Sequence, residues 1–206
     1  MTKSGWFWEY FAKRYDRQAW TDEGLERAAE RLAGYLEPDD TVLDYACGTG
    51  VLSYRIAGHV QRVLAIDASA EMIRLAKQRG AAFETSNVRF TKTTLFDDEL
   101  GENAFDVLVA YNILHLLEDA GKAVERAADL LKPGGRMITS TPCLGEAGVV
   151  MRTLLPLIAR MGILSYLRAF RVDRLKEIIH AGGFEIVELD VRQETIPICF
   201  VAARKP

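Results

Sequence analysis

The stretch VLDYACGTG, residues 42–50, is an apolar run that ends in an acid and breaks into a glycine turn. Val42 and Leu43 with the flanking Thr41 and Tyr45 read as a strand buried on both faces, and GVLSYRIAG, residues 50–58, reads as the helix after it. In an open parallel sheet a loop of this kind lies at the carboxyl end of its strand, where ligands bind. Gly48 and Gly50 bare its backbone to a ligand, but the dinucleotide fingerprint asks for a third glycine where this chain has Ser53. Asp44 is the stronger objection to a pyrophosphate, because like charges repel in a partly buried site that water screens weakly. An acid in that place suits a cationic ligand.

The pattern continues outward from this unit. RVLAID (62–67) reads as a second strand, and SAEMIRLAKQRG (69–80) as a helix opened by Ser69 and closed by Gly80. NVRFTK and AFDVLVAY read as strands three and four, and EDAGKAVERAADLL as an amphipathic helix. A Pro133-Gly134-Gly135 turn and RMITSTP as strand five follow. Strand and helix in alternation give a parallel sheet covered on both faces. Residues 6–19 and 22–36 have helical spacing, DRLKEIIHAGG is a helix with a glycine stop, and residues 184–204 read as two strands joined near Gln193 and Glu194, an antiparallel hairpin.

With 206 residues, 49% of them hydrophobic, and no long linker or repeat, a single domain over 1–206 is expected. A net charge of −3 and a pI near 5.7 argue against a nucleic-acid partner. Cys47, Cys143 and Cys199 have no metal-type spacing, so neither a disulfide framework nor a metal is expected. The first twenty residues alternate aromatics with charges, unlike a leader, and no run is apolar for long enough to span a bilayer. A cytoplasmic location follows as the expectation.

Taken together, Asp44 to Gly50, the ILHLLED segment (113–119), LLKPGGRMI (130–138) and FAKRYD (11–16) resemble the class I S-adenosylmethionine-dependent methyltransferases, in particular the small-molecule type 11 branch that includes ubiquinone and menaquinone biosynthesis enzymes. The resemblance covers residues 10–141, and the tail from 172 to 204 in topology only. It implies an α/β fold with a Rossmann-like, doubly wound, mostly parallel seven-stranded sheet. That sheet carries a C-terminal antiparallel hairpin, an N-terminal helical cap (1–37) and a helical lid insert after strand five (144–170). The implied cofactor is S-adenosyl-L-methionine, leaving as S-adenosyl-L-homocysteine, whose ammonium and sulfonium answer the acid in the loop. The implied cofactor residues are Tyr10, Tyr15, Asp44, Ala46, Gly48, Gly50, Asp67, Ala68, Met72, Thr94, Leu95 and Tyr111. Ala46 stands where many members have glycine. Asp67, ending the second strand, is placed to take ribose hydroxyls. The acid that members often carry beside adenine is replaced by Thr93 and Thr94, with Asp97 and Asp98 downstream.

The implied reaction is methyl transfer to a small, apolar acceptor whose reacting atom, oxygen, carbon, nitrogen or sulfur, the sequence leaves open. Where a base is needed, His115 is the first candidate and Tyr15, with Tyr10, the next. Asp106 is expected to orient a strand and Cys47 to pack. Residues 147–172 hold Arg152, Arg160, Arg168 and Arg171 among leucines and isoleucines and no acid. They read as a lid over an acceptor pocket, with contact to a membrane surface as the second reading and solvated packed helices as the plain one. A nicotinamide-dependent reductase is disfavoured by Asp44 and Ser53. A non-catalytic cofactor-binding domain stays open, as does the oligomeric state.

Overall fold

A computed structural model describes residue 12 and residues 23–80, 83, 85–148 and 167–206. The expected helix over 6–19, with Tyr10 and Tyr15, lies outside the described residues apart from Ala12, as does the lid insert between its two ends. The described elements are α1 (Glu23–Ala33), β1 (Thr41–Tyr45), α2 (Val51–Ile56), β2 (Arg62–Asp67), α3 (Ala70–Arg79), β3 (Val88–Lys92), β4 (Phe105–Tyr111), α4 (Ala120–Leu130), β5 (Leu131–Pro142), α5 (Val172–Ala181), β6 (Glu185–Arg192) and β7 (Ile198–Arg204). They form a seven-stranded sheet in the order β3-β2-β1-β4-β5-β7-β6. β1 pairs parallel with β2 and β2 with β3, while β7 runs antiparallel to both β5 and β6. This is the expected mostly parallel α/β sheet with a C-terminal hairpin.

The chain divides into two compact units, Met1–Glu99 with Phe105–Leu108, and Leu100–Ala104 with Val109–Pro206. In the first, Val42, Leu43, Ala65 and Ile66 are sealed from solvent, as a parallel strand covered on both faces requires. Ser69 caps α3 by accepting from the Met72 N–H at 3.2 Å, so the helix begins where the sequence places it. Asp106 accepts from the Thr41 N–H at 2.9 Å and so fixes the start of β1, the orienting role expected of it.

In the second unit Asp119 caps α4 by accepting from the Lys122 N–H at 3.1 Å. Gly182 ends α5, and a Cβ there would come within 2.6 Å of Val124 on α4, so the glycine permits close helix packing as well as a stop. One reading needs correction. Pro133-Gly134-Gly135 is no free turn before the fifth strand but lies inside β5, which follows α4 directly. The cause is pairing with the chain's end: the Gly134 N–H donates to the Lys205 carbonyl at 3.0 Å, and the Lys205 N–H to the Gly135 carbonyl at 2.8 Å. Gly134 supplies the positive φ of 76° this needs.

Candidate active site

The loop after β1 is built from left-handed backbone. Ala46, Gly48 and Gly50 have φ of 58°, 56° and 78°. Gly50 opens α2, and a Cβ there would meet the Phe90 ring at 2.5 Å, so position and conformation both demand glycine. Ala46 holds a left-handed backbone at a cost of about 1–2 kcal/mol, which makes the departure from glycine a strained one. The Cys47 N–H donates to the Ile66 carbonyl at 3.0 Å, tying the loop to β2.

Asp67, the last residue of β2, receives the loop from the other side. One carboxylate oxygen accepts from the Gly48 N–H at 3.0 Å and the other from the Ser69 N–H at 2.8 Å. Each oxygen keeps acceptor capacity beyond one hydrogen bond, so the carboxylate can orient the loop and still take hydroxyls. The Thr93 N–H donates to the Asp67 carbonyl at 3.1 Å, which brings the segment after β3 to the same place.

Asp44 is buried, 2% exposed, and accepts from the Ser53 hydroxyl at 2.5 Å. Burial pushes its carboxyl up to about 6, against the lowering effect of Ser53 and helped by the negative Asp67. No basic side chain pairs with Asp44 among the described residues. Beside it, burial first and then Asp67 push the Tyr45 phenol up to about 12, and burial first and then Asp44 and Asp67 hold the Cys47 thiol well above its usual range. The Thr49 hydroxyl is buried with no partner among the described residues. Two acids and a spare polar atom around a bare loop form a cation-accepting site. That donor set fits a ligand carrying an ammonium and a sulfonium and opposes one carrying a pyrophosphate.

The first unit thus brings together Asp44, Ala46, Gly48, Gly50 and Asp67, with Ala68 following directly on β2. Met72 is buried against Ala12 and Leu75. Leu95 is buried and Thr94 exposed. The Thr93 hydroxyl is taken by a short hydrogen bond to Asp97, which holds that carboxyl below the usual range. Sequence reasoning missed Ser53 as the partner of Asp44, Tyr45 as its neighbour, and Thr49. Only the Ser53 substitution at the third glycine position was a signal, and it was read as the loss of a glycine.

In the second unit Tyr111 ends β4, and the Asn112 N–H donates to the Ser140 carbonyl at 2.8 Å. His115 sits in a short 3-10 turn, its Nδ1 buried and without a partner among the described residues. Burial pushes the imidazole down to about 4, so it is neutral at ordinary pH. The end of the insert returns to this turn: the Arg168 N–H donates to the His115 carbonyl at 2.7 Å, and the Arg168 guanidinium donates to the Glu118 carbonyl. The Gly145 N–H donates to the Phe170 carbonyl at 2.8 Å, and Arg171 pairs with Glu146 at 3.4 Å, so residues on either side of the insert are held together.

A family model described as a methyltransferase domain matches residues 36–169. The chain belongs to the methyltransferase-domain family. It is similar to an uncharacterized methyltransferase of Mycobacterium tuberculosis, 34% identical over 100 residues that make up 48% of this chain and 49% of that one. A ubiquinone biosynthesis O-methyltransferase of Xylella fastidiosa is 35% identical over 102 residues, 48% of this chain and 41% of the relative. The chain spans about half the length of these relatives. Among solved structures, a putative methyltransferase from Bacillus halodurans superposes with a TM-score of 0.76 at 16% identity, covering 90% of this chain and all of that one, which shows a common fold. Among the described residues no helix is long and apolar enough to cross a membrane.

Proposed function

We propose that this methyltransferase-family chain uses S-adenosyl-L-methionine to methylate a small, apolar molecule. The observation that carries the cofactor reading is Asp44, a buried acid beside a second acid, with no basic partner among the described residues, at the end of a loop whose glycines leave its backbone bare. When bound, the cofactor supplies an already activated methyl group on a sulfonium. Asp44 then holds the cationic methionyl end, directly or through water, and Gly48 and Gly50 let that part lie on the backbone. Asp67 takes the ribose hydroxyls while its bonds from Gly48 and Ser69 fix its carboxylate. Ala68, Met72, Thr94 and Leu95 are assigned to the adenosine, and Ala46, Tyr10, Tyr15 and Tyr111 to cofactor binding on the family resemblance alone. The protein's main contribution to rate is positioning and exclusion of water.

An oxygen acceptor is favoured by the similarity to a ubiquinone biosynthesis O-methyltransferase. A hydroxyl acceptor has to lose a proton, and His115, whose Nδ1 is buried and unpartnered among the described residues, is the base we assign; burial keeps it neutral and free to accept but weakens it as a base. Calorimetric titration with S-adenosylmethionine and S-adenosylhomocysteine tests the cofactor reading. Binding that Asp67→Ala or Asp44→Ala weakens by tenfold or more, from the loss of about 1.5–3 kcal/mol of charged hydrogen bonding, supports it. A folded chain that binds neither compound overturns it.

A further inference from the structure

Along the outer edge of β3 the first unit carries a groove of about 650 Å³ that the proposed reaction does not use. Three basic residues line it, Lys77 from the last turn of α3 and Arg89 and Lys92 from β3, and no acidic residue lines it among the described residues. None of the three bases forms an ion pair among the described residues. Cations on an edge strand can serve simply to deter strand pairing, but that role does not call for a third cation delivered to the same cavity from a neighbouring helix. The helix end opposes an anion less than a bare C-terminus would, because three of the carbonyls there are occupied. Ala76 accepts from the Tyr54 hydroxyl at 2.9 Å, Gly80 from the Phe83 N–H at 3.1 Å, and Lys77 from the Gly80 N–H.

The groove also has a rigid aromatic side and a threonine. Tyr54 stacks on Phe83 with ring centroids 4.4 Å apart and meets Phe90 at 5.1 Å, and Tyr54 and Phe90 are both buried. Thr91 lines the groove and presents a hydroxyl-bearing residue to it. A guanidinium fork, two ammonium groups and a threonine match the many acceptor oxygens of a phosphate better than the two of a carboxylate.

We propose that this groove is a second binding site, for a small phosphorylated anion held by Lys77, Arg89 and Lys92. It is separate from the cofactor loop in chemistry, one site taking cations and the other anions, and does not depend on the methyltransferase reading. The test is calorimetric titration of the full chain with sodium pyrophosphate at low ionic strength. The expected result is binding that weakens about tenfold in each of Lys77→Gln, Arg89→Gln and Lys92→Gln, one charge-assisted contact apiece. Added salt should weaken it further. Failure of pyrophosphate to bind the folded wild-type chain overturns the proposal, as does undiminished binding by the triple variant. Citrate or oligoglutamate binding as tightly as pyrophosphate overturns the phosphate assignment and points to an acidic partner instead.

Discussion

If Asp44 holds the cationic end of S-adenosylmethionine, the cofactor's affinity has to follow the ionisation of that one carboxyl. Its carboxyl titrates at about 6 because burial penalises the charge. The ligand binds the ionised form, so binding releases a proton below that value and affinity rises with pH until the group is charged. One unit below about 6, only about a tenth of Asp44 is ionised, and affinity should be about tenfold lower than its plateau, about 1.4 kcal/mol. The plateau should end near pH 8, where an α-amino group loses its own proton, giving a bell. His115 does not blur the acid limb, because it titrates near 4. The assay is titration calorimetry at a series of pH values, in buffers of differing ionisation enthalpy so that released protons are counted. Asp44→Asn keeps an acceptor for the Ser53 hydroxyl and removes the titration, so it should bind more weakly and lose the acid limb alone. Wild-type affinity that stays level between about pH 5 and 7, or an acid limb that survives in Asp44→Asn, refutes the reasoning.

Other measurements bear on the same residues. Asp44 and His115 should pull stability in opposite directions. The raised acid binds more protons in the folded chain, so its contribution falls as pH rises from about 4 to 6, whereas the depressed histidine binds fewer, so its contribution rises from about 4 to 6.5. Each amounts to about 3 kcal/mol, and in the wild type they largely cancel. Denaturant titrations should show stability rising more steeply with pH in Asp44→Asn and falling in His115→Phe relative to wild type, and identical slopes in all three would refute the assignment. Gly50→Ala meets Phe90 and forces alanine into left-handed backbone, so it should lose about 2–4 kcal/mol together with cofactor affinity, and a variant as stable as wild type would contradict the loop geometry. Ala46→Gly relieves about 1–2 kcal/mol of strain and costs about 0.5–1 in chain freedom, so its thermal midpoint should rise slightly. A fall would mean that the Ala46 methyl contributes packing worth more than the strain.

What the sequence discloses and what it withholds divide along the distance between interacting residues. β1, β2 and β4 were legible because strands covered on both faces leave unbroken apolar runs. Ser69 and Gly80 were legible because a helix advertises its ends locally, through side-chain capping at one and a glycine at the other. Asp106 could be read as a strand-orienting acid, but its partner, the Thr41 N–H, is 65 residues away and nothing local names it. The same limit produced the error at Pro133-Gly134-Gly135, a turn by composition that pairing with Lys205 holds inside β5. It also hid the role of Ser53, which counted against a dinucleotide when read along the chain and proves in space to be the hydroxyl that holds Asp44. Depth of burial is likewise a property of the fold, so a single histidine after β4 could not disclose that its imidazole is pushed down to about 4. The acid in the glycine loop was different. Its meaning came from an incompatibility between a carboxylate and a phosphate in a poorly screened site, and a conflict of charge needs no coordinates to be recognised. Burial then sharpens that local reading into a demand: a carboxyl raised to about 6, with Asp67 as its charged neighbour, is at neutral pH a buried negative charge that an arriving cation relieves.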